Sequence, residues 1–398
     1  MYWNSRPAGI RIAIVTDAIH PFHTGGKERA LFEIAKHLAA DGYDVDVYTM
    51  RWWKGPSIIQ RDGITFHALT RCRPLYTPAG RRSVSQAIFF AIATLKMVLR
   101  SYDHLYVDSI PFLPLICGRL VATLRRKPLL TIWYEFWGPT YWKAYLPGIA
   151  SFVAAHVERF ASRCPDSVMS ISPHTTLRLE AEAAVRHLIT IPLGVDLESI
   201  DAAAPSPERW DVLYAGRLLT HKNVDRLVHA IAQVRIDNPS VRCLIIGGGP
   251  ELDHLVTLVT ELRLEENVRF RPFLPDSLEL YGLMKSARLF VLPSVREGFG
   301  LVVIEANACG TPVVTTNHAE NAARDLVCHG SNGLLSSPDT TAIATGIRTI
   351  LSGDADLLDE HELRRNAARF DWSCVAKTFE AELLPYSFSS AQSDAVSF

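Results

Sequence analysis

Two carboxylates flank a glycine turn in the stretch SVREGFGLVVIEANACGTPVV, residues 294–314. Glu297 precedes the turn, and Glu305 follows it eight positions later inside an apolar run. A buried, unpaired carboxylate is costly, so two of them in an apolar element indicate function rather than packing. We expect Glu297 in a loop after a strand, and Glu305 just over one turn inside a helix that begins at Leu301.

The turn itself, made of Gly298, Phe299 and Gly300, is suited to an anion. The N–H groups around Gly300 and Leu301 would point at a phosphate, because the first turn of a helix leaves its donors unpaired. Glu305 can accept two hydrogen bonds from vicinal ribose hydroxyls, as acidic residues do in dinucleotide folds. Glu297 would then face the part of the ligand beyond the phosphates.

Basic residues and glycines lie in the loops that follow other predicted strands. Arg217 and Lys222, five residues apart, can converge on one anion, and a solvated loop pair is the alternative. Gly25 and Gly26 would let the backbone approach an anion at a helix N-terminus. Gly248, in IIGGGPE, would lie near a nucleotide base, although the run lacks the G-x-G-x-x-G spacing. Ordinary turns are the alternative for both glycine runs.

Length and composition limit the class of protein to which this chain can belong. The chain has 398 residues, which fits two domains of roughly 150–200 residues each. Its composition, 48% hydrophobic and 21% charged, is that of a globular protein. The seven cysteines are scattered without a C-x-x-C pair, which favours reduced thiols over a disulfide frame or a zinc site. We find no secretory signal or membrane-spanning stretch and expect a cytoplasmic protein.

The two halves of the chain differ in charge. Residues 1–195 carry 23 lysines and arginines against 14 aspartates and glutamates, a balance of +9. Residues 196–398 carry 18 against 28, a balance of −10. Such an asymmetry favours two domains with different partners, and a chance distribution of surface charge is the alternative.

Strands and helices alternate along both halves. IRIAIV, residues 10–15, is a continuous apolar run typical of a strand covered on both faces. The pattern restarts at Trp210, after the polar segment 194–210, which we interpret as a linker. We predict an α/β protein with two doubly wound, Rossmann-like domains facing a cleft, where ligand binds at the carboxyl ends of the strands. The predicted parts are domains 1–195 and 196–370 and a disordered tail, 388–398.

In combination these motifs resemble the retaining, nucleotide-sugar-dependent glycosyltransferases of the GT-B fold, the family 4 group. The resemblance rests on Glu297 and Glu305 in E-x7-E around Gly-Phe-Gly, on the Arg217 and Lys222 pair, and on GGKER as an acceptor-side glycine motif. It covers the chain from about Ile10 to about Leu384. The implied parts are an acceptor domain, 1–195, a donor domain, 196–370, and a helix, 371–387, that crosses back to the first domain.

The resemblance also implies roles for single residues. Arg217 and Lys222 would neutralise the donor diphosphate, so that neither a metal nor another cofactor is required. Glu305 would hold the ribose, and Glu297 would lie beside the donor sugar. The remaining donor contacts would come from Gly248, Gly298, Phe299, Gly300 and Leu301.

One position departs from the family pattern. The strand LLTIWYE often ends in a histidine beside the donor sugar in that family, but here Tyr134 stands there, followed by Glu135. A phenol can donate a hydrogen bond to a sugar hydroxyl but is a poor base at neutral pH. We group Tyr134 with the catalytic residues, and place Glu135 and His20 on the acceptor side, where either would compensate. A silent nucleotide-sugar-binding protein and a nucleotide-sugar epimerase stay as alternatives.

The expected partners are a UDP- or GDP-linked sugar and a glycan or lipid-linked acceptor, and no nucleic acid. An anionic membrane surface is a further predicted partner, because basic clusters flank an apolar stripe in the first half. A helix that faces the core would look much the same, which is the alternative. The clusters are RCRP from residue 71, Arg81 with Arg82, and 125–127; the stripe is Ile88, Ile92, Leu95 and Leu99, widened by Phe89 and Phe90.

Overall fold

The computed structural model describes residues 9–23, 25–77, 82–185 and 187–393. These residues form two compact units, one made of the chain up to Leu193 together with the segment from Trp372, and the other of Gly194–Asp371. Each unit contains a sheet whose central strands are fully buried, as expected for parallel strands covered on both faces. The predicted α/β class with two Rossmann-like sheets is confirmed.

The sheet of the first unit has eight strands among the described residues, in the order β3-β4-β2-β1-β5-β6-β7-β8. Neighbouring strands are parallel, except that β3 and β4 are antiparallel. The chain leaves β1 toward β2 and later returns to pair β5 on the other side, so the switch point lies between β1 and β5. The strands are β1 (Arg11–Val15), β2 (Asp44–Arg51), β3 (Ile58–Arg61), β4 (Ile64–Arg71), β5 (His104–Val107), β6 (Leu129–Trp133), β7 (Ser167–Ser170) and β8 (Leu188–Thr190).

The β3–β4 hairpin was not among the predicted strands. Its turn is the dipeptide Asp62-Gly63, in which both residues have positive φ, 51° and 76°. Asp-Gly between two short runs of strand-forming residues is a strong hairpin signal. The hairpin adds the only antiparallel pair of this sheet within the described residues.

Helices connect these strands, and one of them carries the predicted apolar stripe. The helices are α1 (Gly26–Ala40), α2 (Val84–Thr94, continued by a 3-10 turn, Leu95–Leu99), α3 (Phe112–Arg125), α4 (Gly138–Tyr145), α5 (Ile149–Ala161) and α6 (Pro173–Ala183).

The stripe on α2 faces outward. Ile88, Ile92, Leu95 and Leu99 are 47%, 62%, 37% and 84% exposed. Phe90 is 1% exposed and belongs to the core, so the prediction that it widens the stripe is wrong. It lies two residues from Ile88 and Ile92, about 200° around the helix, which places it on the opposite side.

The predicted basic clusters are only partly available at the surface. Arg125 and Arg126, at the end of α3, are exposed. Arg82 instead forms an ion pair with the buried Asp17, 3.2 Å between nitrogen and oxygen, so its assignment to a surface cluster is wrong. Arg81 lies outside the described residues.

The second sheet has six parallel strands within the described residues, in the order β11-β10-β9-β12-β13-β14. Its switch point lies between β9 and β12. The strands are β9 (Trp210–Ala215), β10 (Cys243–Ile246), β11 (Val268–Arg271), β12 (Ala287–Leu292), β13 (Val313–Thr316) and β14 (Gly333–Ser336). The helices are α7 (Leu197–Ala202), α8 (Val224–Asp237), α9 (Leu252–Glu261), α10 (Ser277–Lys285), α11 (Leu301–Ala308), α12 (Thr340–Ser352) and α13 (Glu360–Ala367).

The segment 194–210 is not a linker, contrary to our interpretation. It contains α7, whose Ile200 is fully buried. Lys285 Nζ donates a 2.8 Å hydrogen bond to the Ala203 carbonyl, and Ser286 Oγ donates one of the same length to the Ser206 carbonyl. The polar side chains of this segment point outward, while its backbone carbonyls accept hydrogen bonds from the end of α10. A polar composition therefore does not distinguish a linker from a segment that packs on a domain.

The last helix, α14 (Trp372–Ser393), belongs to the first unit. Phe379 is fully buried in that unit, and Glu380 accepts a 2.9 Å hydrogen bond from the Tyr43 hydroxyl. The helix continues six residues past the predicted end at 387, and disorder of the tail stays a prediction. Residues 394–398 lie outside the described residues.

Candidate active site

The predicted donor residues gather at the switch point of the second sheet. The loop after β9 carries Arg217 and Lys222, and the loop after β12 carries Glu297. Because β9 and β12 are neighbouring parallel strands, both loops leave the same edge of the sheet. Lys222 Nζ donates a 2.6 Å hydrogen bond to Glu297 Oε1, and the two side chains are 16% and 11% exposed. The structure therefore brings together a cation and an anion 75 residues apart in sequence.

Glu297 is held by its neighbours on both side chain and backbone. Its Oε1 also accepts a 2.7 Å hydrogen bond from Ser294 Oγ. Its N–H donates to the Glu320 carbonyl, and its own carbonyl accepts from the Ala322 N–H, each at 3.1 Å. The carboxylate is thus preorganised in the loop that follows β12, where we expected it.

The Arg217 loop is fixed by close backbone packing. The Tyr214 hydroxyl donates a 3.1 Å hydrogen bond to the Arg217 carbonyl, and the Leu218 N–H donates to the Gly248 carbonyl at 2.9 Å. A Cβ on Gly249 would lie 2.2 Å from the Leu218 carbonyl oxygen, so this approach requires glycine. The Arg217 side chain is exposed, which leaves its guanidinium accessible to an anion.

Gly248 also lines an open pocket of 640 Å³ at the carboxyl ends of β10 and β11. The Phe273 ring, 63% exposed, forms part of the wall and offers a flat apolar surface. That Gly248 lies near a nucleotide base stays a prediction. The other lining residues are Gly247, Leu252, Asp253, Val256, Thr257, Phe270, Arg271 and Pro272.

The glycine turn leads into α11, which begins at Leu301 as expected. Gly300 is the N-cap residue with φ 93°, and a Cβ there would lie 2.4 Å from the Ala323 Cβ, so only glycine fits. No side chain of the described residues caps this helix, and the Val303 N–H donates a 2.9 Å hydrogen bond to the Gly300 carbonyl. A helix start without a side-chain cap is suited to an anion. The Phe299 ring is buried against Phe370, centroids 6.5 Å apart, so Phe299 can reach a donor only through its backbone.

Glu305 lies in the second turn of α11 and is 7% exposed. The Tyr281 hydroxyl, from α10, donates a 3.2 Å hydrogen bond to its Oε1. A carboxylate offers about four acceptor positions, so this bond is compatible with the two ribose hydroxyls that we predict Glu305 to bind. Gly298 is half-buried in the turn that precedes the helix.

His221, which the sequence analysis did not select, directly precedes Lys222 in the 3-10 turn Thr220–Lys222. Burial, followed by the charges of Arg296 and Lys222, lowers its pKa to about 4. Its imidazole is therefore neutral at physiological pH, and the positive charge of this loop comes from arginine and lysine. Its place directly before Lys222 in THKN was the available sequence signal.

The predicted acceptor-side glycines and His20 belong to the first unit, after β1. Gly25 is the N-cap residue of α1, which begins at Gly26, and both glycines are exposed. The His20 ring packs against Phe32, with centroids 5.1 Å apart. Burial, followed by the charge of Arg29, lowers the pKa of His20, so its ring is neutral at physiological pH.

Tyr134 and Glu135 directly follow β6. Burial raises the pKa of Tyr134 well above its ordinary value, and Tyr106 and Asp108 add to the rise. The phenol therefore stays protonated at neutral pH and does not act as a base. Glu135 Oε2 accepts a 3.1 Å hydrogen bond from the Trp137 indole, which fixes the carboxylate beside Tyr134.

A buried ammonium that we did not select lies in the first turn of α1. Lys27 Nζ donates hydrogen bonds to Asp108 Oδ2 at 2.5 Å and to Asp17 Oδ1 at 3.4 Å. Burial lowers the pKa of Lys27, but Asp108, Asp17 and Glu28 together raise it above the ordinary value. A signal was present, because each aspartate lies at the carboxyl end of a predicted strand, in IVTD and HLYVD, and Lys27 lies inside GGKER.

Two Rossmann-like sheets with charged loops at their switch points define a nucleotide-binding class of fold. Residues 24–199 match the family described as Glycosyltransferase Family 4, and residues 197–370 match Glycosyl transferases group 1. D-inositol 3-phosphate glycosyltransferase 1 of Catenulispora acidiphila is 30% identical over 383 residues, 88% of each chain. The chain therefore belongs to the group 1, family 4 glycosyltransferases.

Two further comparisons support the family and the fold. Glycogen synthase of Mycobacterium tuberculosis is 34% identical over 192 residues, 46% of this chain and 45% of that one, so the match spans about half the length of this relative. The crystal structure of Anabaena HepE in complex with UDP and glucose has a TM-score of 0.69 at 21% identity, and covers 94% of this chain and 100% of that one. The shared fold is GT-B.

Proposed function

We propose that this protein transfers a glycosyl group from a nucleotide-diphosphate-sugar to a hydroxyl of a glycan or lipid-linked acceptor, with retention of anomeric configuration and without a metal ion. The observation that carries the proposal is the 2.6 Å pair of Lys222 and Glu297 beside the exposed Arg217. These groups and the uncapped start of α11 form a cationic, donor-rich edge suited to a diphosphate. Membership of a glycosyltransferase family supports it.

The proposed reaction breaks the bond between the anomeric carbon and the β-phosphate oxygen, and the electron pair leaves with the diphosphate. Arg217 and Lys222 stabilise the negative charge that grows on the leaving group, while Glu297 lies beside the carbon that becomes positive. The acceptor oxygen bonds to the anomeric carbon on the same face. Its proton passes to the departing phosphate oxygen, so no protein base is consumed, which agrees with a tyrosine at position 134.

Donor recognition is assigned to the second unit. Glu305 holds the ribose hydroxyls, and the pocket beside Gly248 takes the base. HepE was crystallised with UDP and glucose, which supports a nucleotide-sugar as the donor, and UDP and GDP both stay candidates for the nucleotide. Two side-chain cations and a helix N-terminus supply the charge that a metal ion would otherwise supply.

The first test is nucleotide release from UDP-glucose and GDP-mannose, with and without methyl α-D-glucopyranoside and methyl α-D-mannopyranoside as acceptors. A transferase releases nucleotide faster when acceptor is present, and proton NMR of the new glycoside shows the same anomeric configuration as the donor. We expect the rate to be unchanged by a chelator. An acceptor-independent change of the sugar would identify an epimerase, and calorimetric binding without turnover would identify a silent binding protein.

We further propose that the first unit rests on an anionic membrane. No helix within the described residues is long and apolar enough to cross a bilayer. However, α2, α3 and α5 pack side by side, and their outward sides are apolar. The exposed apolar residues are Val84, Ile88, Ile92, Leu95 and Leu99 around α2, Leu120 and Leu124 on α3, and Ile149, Phe152, Val153 and Phe160 on α5.

The distribution of charged residues on α2, α3 and α5 favours contact with an anionic bilayer over exposure to water alone. Their single carboxylate, Glu158, is fully buried, where it accepts hydrogen bonds from the Trp137 and Gly138 N–H groups. Arg125 and Arg126 are exposed at the end of α3. Each basic residue near an anionic surface contributes about 1 kcal/mol. An apolar face with basic residues and no exposed carboxylate therefore matches anionic lipid.

Vesicle sedimentation tests this second proposal. We expect the protein to pellet with vesicles containing phosphatidylglycerol, more strongly at low salt, and weakly with pure phosphatidylcholine. Ile92→Glu and Leu99→Glu should each reduce binding at least about fivefold, because a charge replaces an inserted apolar side chain. Ile236→Glu is the matched control, since Ile236 is 77% exposed in the second unit. Negligible binding to both vesicle types at low salt would exclude the membrane.

A further inference from the structure

A buried charged cluster occupies the switch point of the first sheet. Asp17 follows β1 and Asp108 follows β5, which are neighbouring parallel strands, so both carboxylates lie at the edge where ligands bind in doubly wound sheets. Lys27 lies between them, and Arg82 closes the cluster by its 3.2 Å contact with Asp17. Glu28 Oε1 is 3.8 Å from Lys27 Nζ.

The cluster leaves polar atoms without a partner. Asp108 Oδ2 accepts hydrogen bonds from Lys27 and, at 2.9 Å, from Thr16 Oγ1. Its other oxygen, Oδ1, has no hydrogen-bond partner among the described residues, and neither has the Ser109 hydroxyl beside it. Asp108 is 2% exposed and Ser109 is fully buried. A buried polar atom left unpaired costs about 1–3 kcal/mol, so these atoms point to a ligand that satisfies them.

The net charge of the cluster limits the chemical class of ligand that can bind to it. Three carboxylates, Asp17, Glu28 and Asp108, stand against two cations, Lys27 and Arg82, which leaves one negative charge in excess. A phosphate or carboxylate placed here would face that excess charge. Carboxylate oxygens only accept hydrogen bonds, and a hydroxyl group donates one. The complementary ligand is therefore an uncharged group rich in hydroxyls.

An aromatic ring contacts the backbone of Asp17. The Trp52 indole donates a 2.9 Å hydrogen bond to the Asp17 carbonyl and stacks edge-on with His23, centroids 4.1 Å apart. Trp52 is half-buried, so part of its ring faces solvent. A flat apolar ring beside hydroxyl-accepting oxygens suits the two kinds of surface that a sugar or cyclic polyol presents.

We infer that Asp108, supported by Ser109 and Asp17, is a specificity-determining residue that binds an unphosphorylated hydroxyl of the acceptor, and that this site selects a neutral sugar or polyol over its phosphorylated form. Lys27 is a positioning residue that holds Asp108 through its Oδ2. This inference rests on the proposed transfer reaction, and it assigns a role to residues that the donor chemistry does not use.

The test compares acceptors and variants in the transfer assay. With UDP-glucose and GDP-mannose as donors, the wild type should use methyl α-D-glucopyranoside or methyl α-D-mannopyranoside at least about tenfold better than glucose 6-phosphate. Asp108→Asn should raise the acceptor KM tenfold or more while leaving the donor Kd unchanged. Asp166→Asn is the control, because Asp166 precedes β7 at the opposite edge of the same sheet and pairs with Arg119 at 2.8 Å.

The double variant Lys27→Met/Asp108→Asn separates binding from stability. It removes one positive and one negative charge together, so it should recover most of the thermal stability that Asp108→Asn alone loses, yet keep the raised acceptor KM. A double variant with wild-type KM would assign the cluster a purely structural role and overturn the inference. A preference for glucose 6-phosphate would also overturn it.

Acceptor binding is also measured without turnover, by saturation-transfer NMR of the methyl glycosides. A signal with the wild type that Asp108→Asn abolishes supports the site even if no nucleotide is released, in which case only the transfer proposal fails. Nucleotide release with a normal rate, and identical NMR signals in wild type and variant, would leave the proposed function standing and refute the role of Asp108.

Discussion

Replacing Lys222 with alanine should lower kcat for sugar transfer by about 10²–10³, the loss seen when one preorganised donor to a developing negative charge is removed. The Lys222 ammonium is held by Glu297 at 2.6 Å before any ligand binds, so little reorganisation is needed in the transition state. Charge on the diphosphate increases as the glycosidic bond breaks, so turnover should fall more than nucleotide affinity. Rate assays at saturating donor, with calorimetry of nucleotide binding, measure the two effects separately.

Arg269→Ala is a suitable control for this experiment, since Arg269 is an exposed cation on β11 of the same unit. It should leave kcat within about twofold of the wild type. Arg217→Ala should resemble Lys222→Ala in direction, because both cations belong to the loop after β9. If Lys222→Ala retains full turnover, the diphosphate does not bind at this loop.

The fold could be predicted because its signals are local. Continuous apolar runs mark strands buried on both faces, and their alternation with helical periods fixes the α/β class. The turn before α11 was predictable for the same reason, since the Gly-Phe-Gly sequence ends a loop at a specific position. Gly300 adopts φ 93°, which explains why a glycine stands there.

Other features depend on contacts between distant residues and could not be derived from local patterns. Lys27 and Asp108 are 81 residues apart and meet only because β1 and β5 are neighbours in the sheet. The segment 194–210 has the composition of a linker, and only its backbone bonds to α10 show that it is part of the second unit. In both cases the feature depends on which strands or helices are neighbours in the fold, and a local sequence pattern does not contain that information.

The helical spacing of the apolar residues on α2 was predicted correctly, but this spacing alone does not tell which side of the helix faces the core. Helical spacing predicts the stripe of Ile88, Ile92, Leu95 and Leu99 equally well for a core helix and for a surface helix. The structure exposes this stripe and buries Phe90 on the other side. Sequence periodicity gives the angle between residues but not the side that faces the sheet.

Replacing Glu305 with alanine should weaken nucleotide-sugar binding by about 10²-fold or more, because each hydrogen bond between a carboxylate and a ribose hydroxyl contributes about 1.5–3 kcal/mol. Glu305 is 7% exposed and is fixed by the Tyr281 hydroxyl at 3.2 Å, so the carboxylate is already oriented in the absence of ligand. The effect should appear in the donor Kd measured by calorimetry, whereas the acceptor KM should change little.

Glu305→Gln distinguishes binding from folding in this experiment. Glutamine keeps an oxygen that can accept the Tyr281 hydrogen bond, so the fold should melt near the wild-type temperature while the negative charge is lost. We expect about tenfold weaker donor binding for Glu305→Gln, between the wild type and Glu305→Ala. Glu265→Ala, at an exposed carboxylate of the same unit, should leave donor binding unchanged. Unchanged affinity in both Glu305 variants would show that the ribose binds elsewhere, because a buried carboxylate that contacts a ligand cannot lose its charge without a measurable loss in binding.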